Sequence, residues 1–308
     1  MSIALLFPGQ GSQYSGMGKA TYEAFPEARD VYDKLSSLVG FDLKRVSFEG
    51  TNDELLRTDH TQPAIFAHSA AHFELIKDKV KFEAVAGHSL GEYSAIYASG
   101  VLSLEDCIMA VRKRGELMYR SKGGGMMAVI GLEEARIDAI IESLKTKGVI
   151  VIANYNSPEQ VVLSGELPLL EEAQGMLKSA GAKRIVRLPV SGAFHSPMME
   201  KAANELKHTL DKLKFRNPDV LFYSNVTGSD ERNPERIKEL LILQLTSPVQ
   251  WKRTIEAMVS DGADTFIEVG PGRVLGGLLK RIAPEARYFN LESPDDLKRI
   301  LEALKDET

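Results

Sequence analysis

Residues 85–92 read Val85-Ala86-Gly87-His88-Ser89-Leu90-Gly91-Glu92, and they decide the fold because an apolar strand runs through a glycine-flanked serine into a helical segment. This order of strand, G-x-S-x-G and helix is typical of a turn that exposes a nucleophilic serine. The two glycines permit the strained backbone, and the N–H of Leu90 lies at a helix N-terminus, where partial positive charge favours an oxyanion. The pattern predicts Ser89 as a nucleophile. The alternative is a solvated serine in a glycine-rich turn.

Apolar runs of strand length lie on both sides of this turn and are separated by helical patterns. They are Ile3–Phe7, Val85–Ala86, Val220–Tyr223 and Thr265–Val269. Strands that alternate with helices favour an α/β fold with a parallel sheet. The sequence therefore predicts an α/β-hydrolase-like catalytic domain over residues 1–123 and 191–308.

The pattern changes after the glycine run Gly123–Gly125. The segments expected there are strand Met126–Ile130, helix Glu133–Lys145, strand Val149–Ala153, turn Asn156–Pro158, strand Gln160–Ser164, helix Leu169–Ala180 and strand Lys183–Leu188. This βαββαβ order is the ferredoxin-like arrangement. It predicts a subdomain over residues 124–190 inserted into the larger unit, and we expect a ligand in the cleft between the two.

The composition is that of an ordinary globular protein. The chain has 308 residues, of which 44% are hydrophobic and 26% charged, and no stretch approaches the roughly 20 apolar residues that span a bilayer. The net charge of -5 and the mixing of Lys and Arg with Asp and Glu argue against a nucleic-acid surface. A single cysteine, Cys107, allows neither an internal disulfide nor a C-x-x-C metal site. Because the N-terminus shows no secretory pattern, we expect a soluble cytoplasmic protein.

A serine hydroxyl needs a base to become a good nucleophile, and a histidine is the best candidate. His195 lies in Ser191-Gly192-Ala193-Phe194-His195-Ser196-Pro197, a loop between the last subdomain strand and a new helix for which Ser196 and Pro197 suggest the N-cap and first position. Loops at such junctions often carry catalytic groups. The sequence predicts His195 as the base, with a purely structural histidine as the alternative.

The other five histidines fit different environments. His88 adjoins Ser89, and neighbouring side chains on a tight turn diverge, so it is predicted to pack. His68 and His72, at i and i+4 on an apolar helix, could bind zinc, but no further ligand is evident and core histidines are the preferred interpretation. His208 falls on the solvated side of an amphipathic helix. His60, in a polar segment, remains possible as a base.

No acidic residue between Ser89 and His195 lies in a loop after a main-sheet strand, where a hydrolase triad would place its acid. The acidic residues between Ser89 and His195 lie on predicted helices or in the inserted subdomain. The sequence therefore predicts a Ser–His dyad in which a neutral group holds the imidazole.

The helix expected to begin at Ser103 carries an arginine on its buried side. Arg114 falls on the apolar stripe formed by Cys107, Val111 and Met118. An inward guanidinium is costly unless an anion meets it. Spacing alone leaves two possibilities open: a salt bridge to an internal Asp or Glu, or a site for a substrate carboxylate, which arginine can bind bidentately.

Six motifs occur in an order that carries a family resemblance. They are Phe7-Pro8-Gly9-Gln10-Gly11-Ser12-Gln13, Gly87-His88-Ser89-Leu90-Gly91-Glu92-Tyr93, Arg114-Gly115, Asn154-Tyr155-Asn156-Ser157-Pro158, Pro248-Val249-Gln250-Trp251 and Glu268-Val269-Gly270-Pro271-Gly272. Together they resemble the malonyl-CoA:acyl carrier protein transacylases of bacterial fatty acid synthesis. The resemblance runs from residue 3 to about residue 280.

The resemblance implies a role for each matching residue. Ser89 would carry the acyl group, His195 would be its general base, and Arg114 would bind the free malonyl carboxylate. Gln10 and Leu90 would supply the N–H groups of an oxyanion hole. The main-chain carbonyl of Gln244, in Gln244-Leu245-Thr246-Ser247-Pro248, would accept from the histidine, which fits the absence of an acid.

The implied reaction is a ping-pong transfer of malonyl from malonyl-CoA to the phosphopantetheine thiol of acyl carrier protein, with no metal and no other cofactor. The partners are then a coenzyme A thioester and the carrier protein, and neither nucleic acid nor membrane is expected. Three alternatives are a relative that serves polyketide synthesis, a serine thioesterase or esterase, and a non-enzymatic scaffold. The polyketide relative would share every motif. A hydrolase would not need an inward arginine, and a scaffold would not need intact Ser89, His195 and Arg114.

Overall fold

The computed structural model describes residues 2–190 and 192–305. Within them the strands are β1 (Ile3–Phe7), β2 (Ala84–Gly87), β3 (Gly124–Ile130), β4 (Ile150–Ser157), β5 (Gln160–Glu166), β6 (Arg184–Arg187), β7 (Leu221–Tyr223), β8 (Asp230–Glu231), β9 (Thr265–Val269) and β10 (Arg287–Leu291).

The helices of the same residues lie between these strands. They are α1 (Lys19–Ala24), α2 (Pro26–Val39), α3 (Leu43–Glu49), α4 (Asn52–Leu56), α5 (Thr58–Ile76), α6 (Gly91–Ala98), α7 (Leu104–Arg120), α8 (Glu134–Leu144), α9 (Leu167–Ser179), α10 (Glu200–Leu210), α11 (Pro234–Leu243), α12 (Trp251–Ser260), α13 (Val274–Ile282) and α14 (Pro294–Lys305), with short 3₁₀ turns at Lys145–Lys147 and Pro197–Met199.

The larger sheet has six strands in the order β10-β9-β1-β2-β7-β8. All neighbours are parallel except β8, which runs antiparallel to β7. Every residue of β1 and of β9 is buried, as expected for parallel strands covered by helices on both faces. Because parallel strands end at the same edge, the segments that follow β1, β2 and β7 meet there.

The smaller sheet has four antiparallel strands in the order β4-β5-β3-β6. Helices α8 and α9 cover it with a separate apolar core that includes Ile137, Ile141, Leu170 and Leu177. This is the strand order of the ferredoxin-like arrangement, so the predicted fold class, a parallel α/β unit with a small βαββαβ unit, is confirmed. The domain limits at 123/124 and 190/191 stay a prediction, and residues 1, 191 and 306–308 of the predicted main domain lie outside the described residues.

One local prediction is wrong. The turn expected at Asn156–Pro158 begins only at Pro158, because β4 continues through Ser157 and pairs that residue with Gln160. Two irregularities in the β4–β5 pairing, between Ile152 and Asn154 and between Tyr155 and Ser157, allow the strand to bend and continue. The strands β8 and β10 were not expected from the sequence.

A backbone connection joins the two sheets beside the cleft. Val249, just before α12, donates its N–H to Ala153 at 2.8 Å and accepts the N–H of Tyr155 at 2.9 Å. This places the end of β4 against the main unit. The family motif around Val249 therefore fixes one side of the cleft.

Helix α5 is the longest helix among the described residues and is buried on almost all sides, packed against α2 and α7. None of the helices within residues 2–190 and 192–305 is long and apolar enough to cross a membrane.

Candidate active site

Ser89 lies at the turn between β2 and α6 with a left-handed backbone, φ 51°. A Cβ on Gly87 would lie 1.9 Å from the backbone of Gly91, so the turn can close only with glycine there. Asn225, just after β7, holds the turn from the side: its Oδ1 accepts the N–H of Ser89 at 2.7 Å and its Nδ2 donates to the carbonyl of Gly87 at 2.6 Å. Ser89 is thus presented at the carboxyl edge of the larger sheet.

His195 approaches Ser89 from a loop that precedes α10. Its Nε2 lies 2.8 Å from Ser89 Oγ. The backbone of His195 is left-handed, φ 56°, and Ser196 caps the 3₁₀ turn that begins at Pro197 by accepting the N–H of Met198 at 3.3 Å. The structure places Ser196 and Pro197 at the helix start that the sequence suggested. Ser191, the first residue of the quoted loop, lies outside the described residues.

The partner of His195 Nδ1 fixes the tautomer of the ring. Nδ1 lies 2.7 Å from the carbonyl oxygen of Gln244, which can only accept, so Nδ1 carries the proton and Nε2 offers its lone pair to Ser89. Burial, and next the positive charge of Arg114, lower the pKa of His195 to about 3. The imidazole is therefore neutral at physiological pH, with the lone pair of Nε2 available to Ser89 Oγ.

Arg114 reaches the same serine from α7. The helix begins after Ser103, whose side chain accepts the N–H of Asp106, and Arg114 is fully buried on its inner side. Nη2 donates to Ser89 Oγ at 3.0 Å and to Oε1 of Gln244 at 2.9 Å. Nε and Nη1 have no partner among residues 2–190 and 192–305. Since Nη2 meets only neutral oxygens, the internal salt bridge left open by the sequence is not formed there.

Two backbone N–H groups, those of Leu90 and Gln10, are predicted to meet an oxyanion beside Ser89. Leu90 is the N-cap residue of α6, so its N–H lies outside the helical hydrogen-bond ladder. Gln10 follows β1 and lines the cavity, and its N–H has no acceptor among the described residues. A Cβ on Gly9 would lie 2.3 Å from the carbonyl oxygen of His88, so glycine allows this loop to pack against the turn. The oxyanion role of both residues stays a prediction.

The remaining histidines lie away from Ser89 Oγ or point elsewhere. His88 Nε2 pairs with Oδ1 of Asn156 at 2.8 Å, and its ring packs edge-on against Trp251. His60 stacks on Phe41, and His208 is exposed.

The buried pair His68 and His72 is stacked with ring centroids 4.1 Å apart. Thr21 Oγ1 lies 2.9 Å from His72 Nε2. Over the part of the chain that the structure describes, no three His, Cys, Asp or Glu residues are grouped so as to hold a metal ion.

A cavity of about 370 Å³ opens onto these groups between the two sheets. Ser89, Arg114 and His195 line it, together with Met126 and Asn154 of the smaller sheet. The arrangement can carry out one kind of chemistry well. A serine with an aligned base and nearby N–H donors can attack an acyl carbonyl and hold the acyl group as an ester.

Two buried residues at the site were not singled out from the sequence. Glu92 and Asn225 contact the groups that surround Ser89. Glu92 follows the G-x-S-x-G pattern directly, and an acidic residue in the first turn of a helix is usually a solvated charge, so its burial gave no signal. Asn225 lies two residues after β7, at the carboxyl edge of the parallel strands, and that position could have marked it.

Comparisons with known proteins show the family to which the chain belongs. The family model described as acyl transferase domain matches residues 4–285. The malonyl CoA-acyl carrier protein transacylase of Bacillus subtilis (strain 168) is 40% identical over 310 residues, covering 99% of this chain and 98% of that protein. The chain therefore belongs to the acyl transferase family, among its malonyl CoA-acyl carrier protein transacylases, which confirms the resemblance.

Solved structures of this family superpose closely on the chain. The malonyl CoA-acyl carrier protein transacylase of Clostridium perfringens has a TM-score of 0.95 at 38% identity, covering 100% of this chain and 98% of that one. A malonyl-transacylase in complex with its type II PKS acyl-carrier protein has a TM-score of 0.95 at 36% identity, covering 98% and 100%.

Proposed function

We propose that the chain transfers the malonyl group of malonyl-CoA to the phosphopantetheine thiol of an acyl carrier protein through an ester on Ser89. The observation that carries this proposal is the contact of one serine oxygen with both a neutral imidazole and a buried, partly unpaired guanidinium. The first makes the serine a nucleophile. The second lies close enough to Ser89 to meet the acid group of a short dicarboxylic acyl chain bound there. The names of the full-length relatives support the same reaction.

The first half-reaction forms the ester. His195 Nε2 takes the hydroxyl proton while Ser89 Oγ bonds to the thioester carbonyl carbon, and the N–H groups of Leu90 and Gln10 meet the oxyanion. The C–S bond then breaks, and the proton passes from Nε2 to the leaving thiolate of coenzyme A. The carbonyl of Gln244 keeps Nδ1 protonated throughout, so the ring holds its orientation as it gains and loses charge.

The second half-reaction reverses these movements. His195 Nε2 takes the proton of the carrier thiol, the sulfur attacks the ester carbon, and Ser89 Oγ leaves with the proton that Nε2 returns. Every proton moves through one imidazole, and no metal or redox group has a step in this sequence. We propose that the reaction uses no cofactor.

Arg114 selects the acyl group in this proposal. Its Nη1 and Nε have no partner in the part of the chain that the structure describes. Ester formation turns Ser89 Oγ into a weak acceptor, which releases the Nη2 hydrogen that had pointed to it. Nη1 and Nη2 can then each donate to the malonyl carboxylate. An acetyl group would leave the guanidinium buried without an anion, which is unfavourable.

The test is mass spectrometry of the protein after brief exposure to malonyl-CoA. We expect one malonyl adduct on Ser89, its loss on addition of carrier protein that bears phosphopantetheine, and its retention with carrier that lacks that group. Ser89→Ala should carry no adduct. An adduct on another residue would contradict the nucleophile assignment, and release of free malonate at the same rate with either carrier would favour a hydrolase.

The proposal also includes the pathway that uses the malonyl carrier protein. We assign the chain to fatty acid biosynthesis in the cytoplasm, as its full-length relatives suggest. Supply of a polyketide synthase is the second candidate, because one close structural relative was solved with a type II PKS carrier. Transfer rates to purified carriers of the two kinds from the same organism would separate them.

A further inference from the structure

Glu92, in the first turn of α6, is a buried carboxylate that no proposed chemical step uses. Its side chain is 1% exposed. Oε1 accepts the backbone N–H of Asn225 at 2.9 Å, and Oε2 accepts a hydrogen bond from Nε2 of Gln244. Both oxygens are thus satisfied by neutral donors. A buried charge that accepts its hydrogen bonds from neutral donors is costly, so its presence three residues after Ser89 calls for a functional explanation.

The carboxylate, together with the carbonyl of Ser89, determines which way the Gln244 amide points. An ionised carboxylate can only accept hydrogen bonds, so Gln244 must turn its Nε2 toward Glu92. The second hydrogen of that Nε2 goes to the carbonyl of Ser89 at 2.9 Å. Oε1 therefore faces the other way, where it accepts from Arg114 Nη2 at 2.9 Å.

The reverse orientation of the amide would be harmful. It would bring the Nε2 hydrogens of Gln244 against the donor hydrogens of Arg114, and Arg114 has no acceptor of its own to offer. The guanidinium would then lose the neutral oxygen that fixes Nη2. The guanidinium, whose Nη1 and Nε have no partner among the described residues, would then be free to leave its position beside Ser89.

We propose that Glu92 is a positioning residue for acyl-group selection: by orienting the Gln244 amide, it holds Arg114 in the conformation that binds the malonyl carboxylate. This inference rests on the proposed function, in which Arg114 meets that carboxylate. Glu92, the residue after the G-x-S-x-G turn, would then act on the acid group of the substrate through the side chains of Gln244 and Arg114. It would not act on the attacking serine.

The decisive variant is Glu92→Gln, which keeps the size and removes the charge. The N–H of Asn225 and Nε2 of Gln244 would then both need the single amide oxygen of the substituted side chain, so one of these two hydrogen bonds is lost. The Gln244 amide, left with the carbonyl of Ser89, holds Arg114 less firmly. The measurement is kcat/KM for malonyl-CoA and for acetyl-CoA with the same carrier protein. We expect the malonyl-to-acetyl ratio to fall on the order of tenfold, the scale of one hydrogen bond to a charged group.

Two other variants separate the possible outcomes. Glu268→Gln removes the charge of a second buried carboxylate. That carboxylate accepts backbone N–H groups at the start of α13 and does not contact Gln244. The variant should keep the wild-type malonyl-to-acetyl ratio. Arg114→Ala should abolish the preference. If Arg114→Ala abolishes it but Glu92→Gln keeps it, the inference about Glu92 is wrong and the proposed function stands.

If both variants keep the preference, the selection role of Arg114 fails and the inference fails with it. Equal losses of malonyl and acetyl transfer in Glu92→Gln would show that Glu92 serves the nucleophile turn or the fold instead. Should Glu92→Gln not fold, Gln244→Met removes the same acceptor from Arg114, and an unchanged ratio in that variant would equally overturn the inference.

Discussion

Nη2 of Arg114 lies 3.0 Å from Oγ of Ser89, so the proposed carboxylate-binding group and the proposed nucleophile touch before any acyl group is bound. A malonyl group has a single methylene between its two carbonyl carbons. The groups that meet its two ends must therefore be close neighbours. The contact makes the site selective for length as well as for charge.

Acyl length gives the first prediction. Succinyl-CoA carries the same charge, but its extra methylene moves the carboxylate by roughly 1.5 Å, the length of one C–C bond. That carboxylate would collide with the fixed guanidinium or leave the thioester out of reach of Ser89. We expect succinyl adducts on Ser89 to form far more slowly than malonyl adducts, measured by mass spectrometry over time. Comparable rates would mean that Arg114 moves freely.

Substitution of Arg114 should change the choice of substrate. Removing one partner of a buried charge-assisted pair costs roughly 2–5 kcal/mol, so Arg114→Ala should lose most malonyl transfer and retain or gain acetyl transfer. Arg114→Lys should recover malonyl transfer only in part, because an ammonium cannot reproduce the planar fork. The measurement is kcat/KM for both acyl-CoAs. Equal loss of both activities in Arg114→Ala would mean that the arginine supports the fold.

His195→Ala should slow both half-reactions, because the same imidazole deprotonates the serine and later the carrier thiol. General acid–base help is typically worth about 10²–10⁴-fold. Rapid-quench measurement of ester formation and of ester transfer would show the two losses separately. His60→Ala and His208→Ala are the controls and should be almost silent. A crippling effect of His60→Ala would contradict the choice of base.

Selectivity should depend on pH through Glu92. Burial raises the pKa of Glu92 to about 7, while the Asn225 N–H, the side chains of Gln244 and Ser224, and the charge of Arg114 act in the lowering direction. Below pH 7 the protonated carboxyl gains an O–H donor and no longer presents two acceptor oxygens, so it holds the Gln244 amide less firmly.

The malonyl-to-acetyl ratio of kcat/KM should therefore fall between pH 8 and pH 5.5. Acetyl transfer should change little over the same range, since His195, with its pKa lowered to about 3, stays neutral. Glu92→Gln should flatten the pH profile of the ratio. A ratio independent of pH in the wild type would contradict this assignment.

Glycine at position 87 should be required for folding of the active-site turn. Because a Cβ there would lie 1.9 Å from the Gly91 backbone, Gly87→Ala should lower the free energy of unfolding and displace Ser89. The control is Gly175→Ala in α9, where a Cβ has no neighbour within 4 Å. That change should raise the free energy of unfolding by about 0.4–1 kcal/mol. Urea titration of both variants would check the contrast.

Much of the fold was predictable because local patterns determined it. The strands β1 and β9 begin and end where their apolar runs do, and α7 begins after its capping serine. The edge strands β8 and β10 were missed because they are short or only partly buried, so their residues lack a clear period.

The site was predictable only where side-chain type carried the signal. Ser89 and His195 stood out by chemistry, and Arg114 by its place on an apolar stripe. Gln244 contacts His195 through its carbonyl, which every residue has, so only the family resemblance, and not its side-chain type, pointed to it. The contact of Asn225 with Ser89 spans 136 positions of the chain and exists only because β2 and β7 are neighbours in the sheet.

Ser89 and His195 are the only non-glycine residues with positive φ within residues 2–190 and 192–305. A backbone held in this region costs on the order of 1 kcal/mol or more at each position, and glycine or asparagine would adopt it more readily. Substitution by glycine or asparagine at the two positions that perform the proposed chemistry would thus make the chain more stable. A gene copy freed from the demand for acyl transfer should accumulate Gly or Asn at 89 and 195 early in its decay, so these two positions would record the loss of activity before the rest of the fold changes.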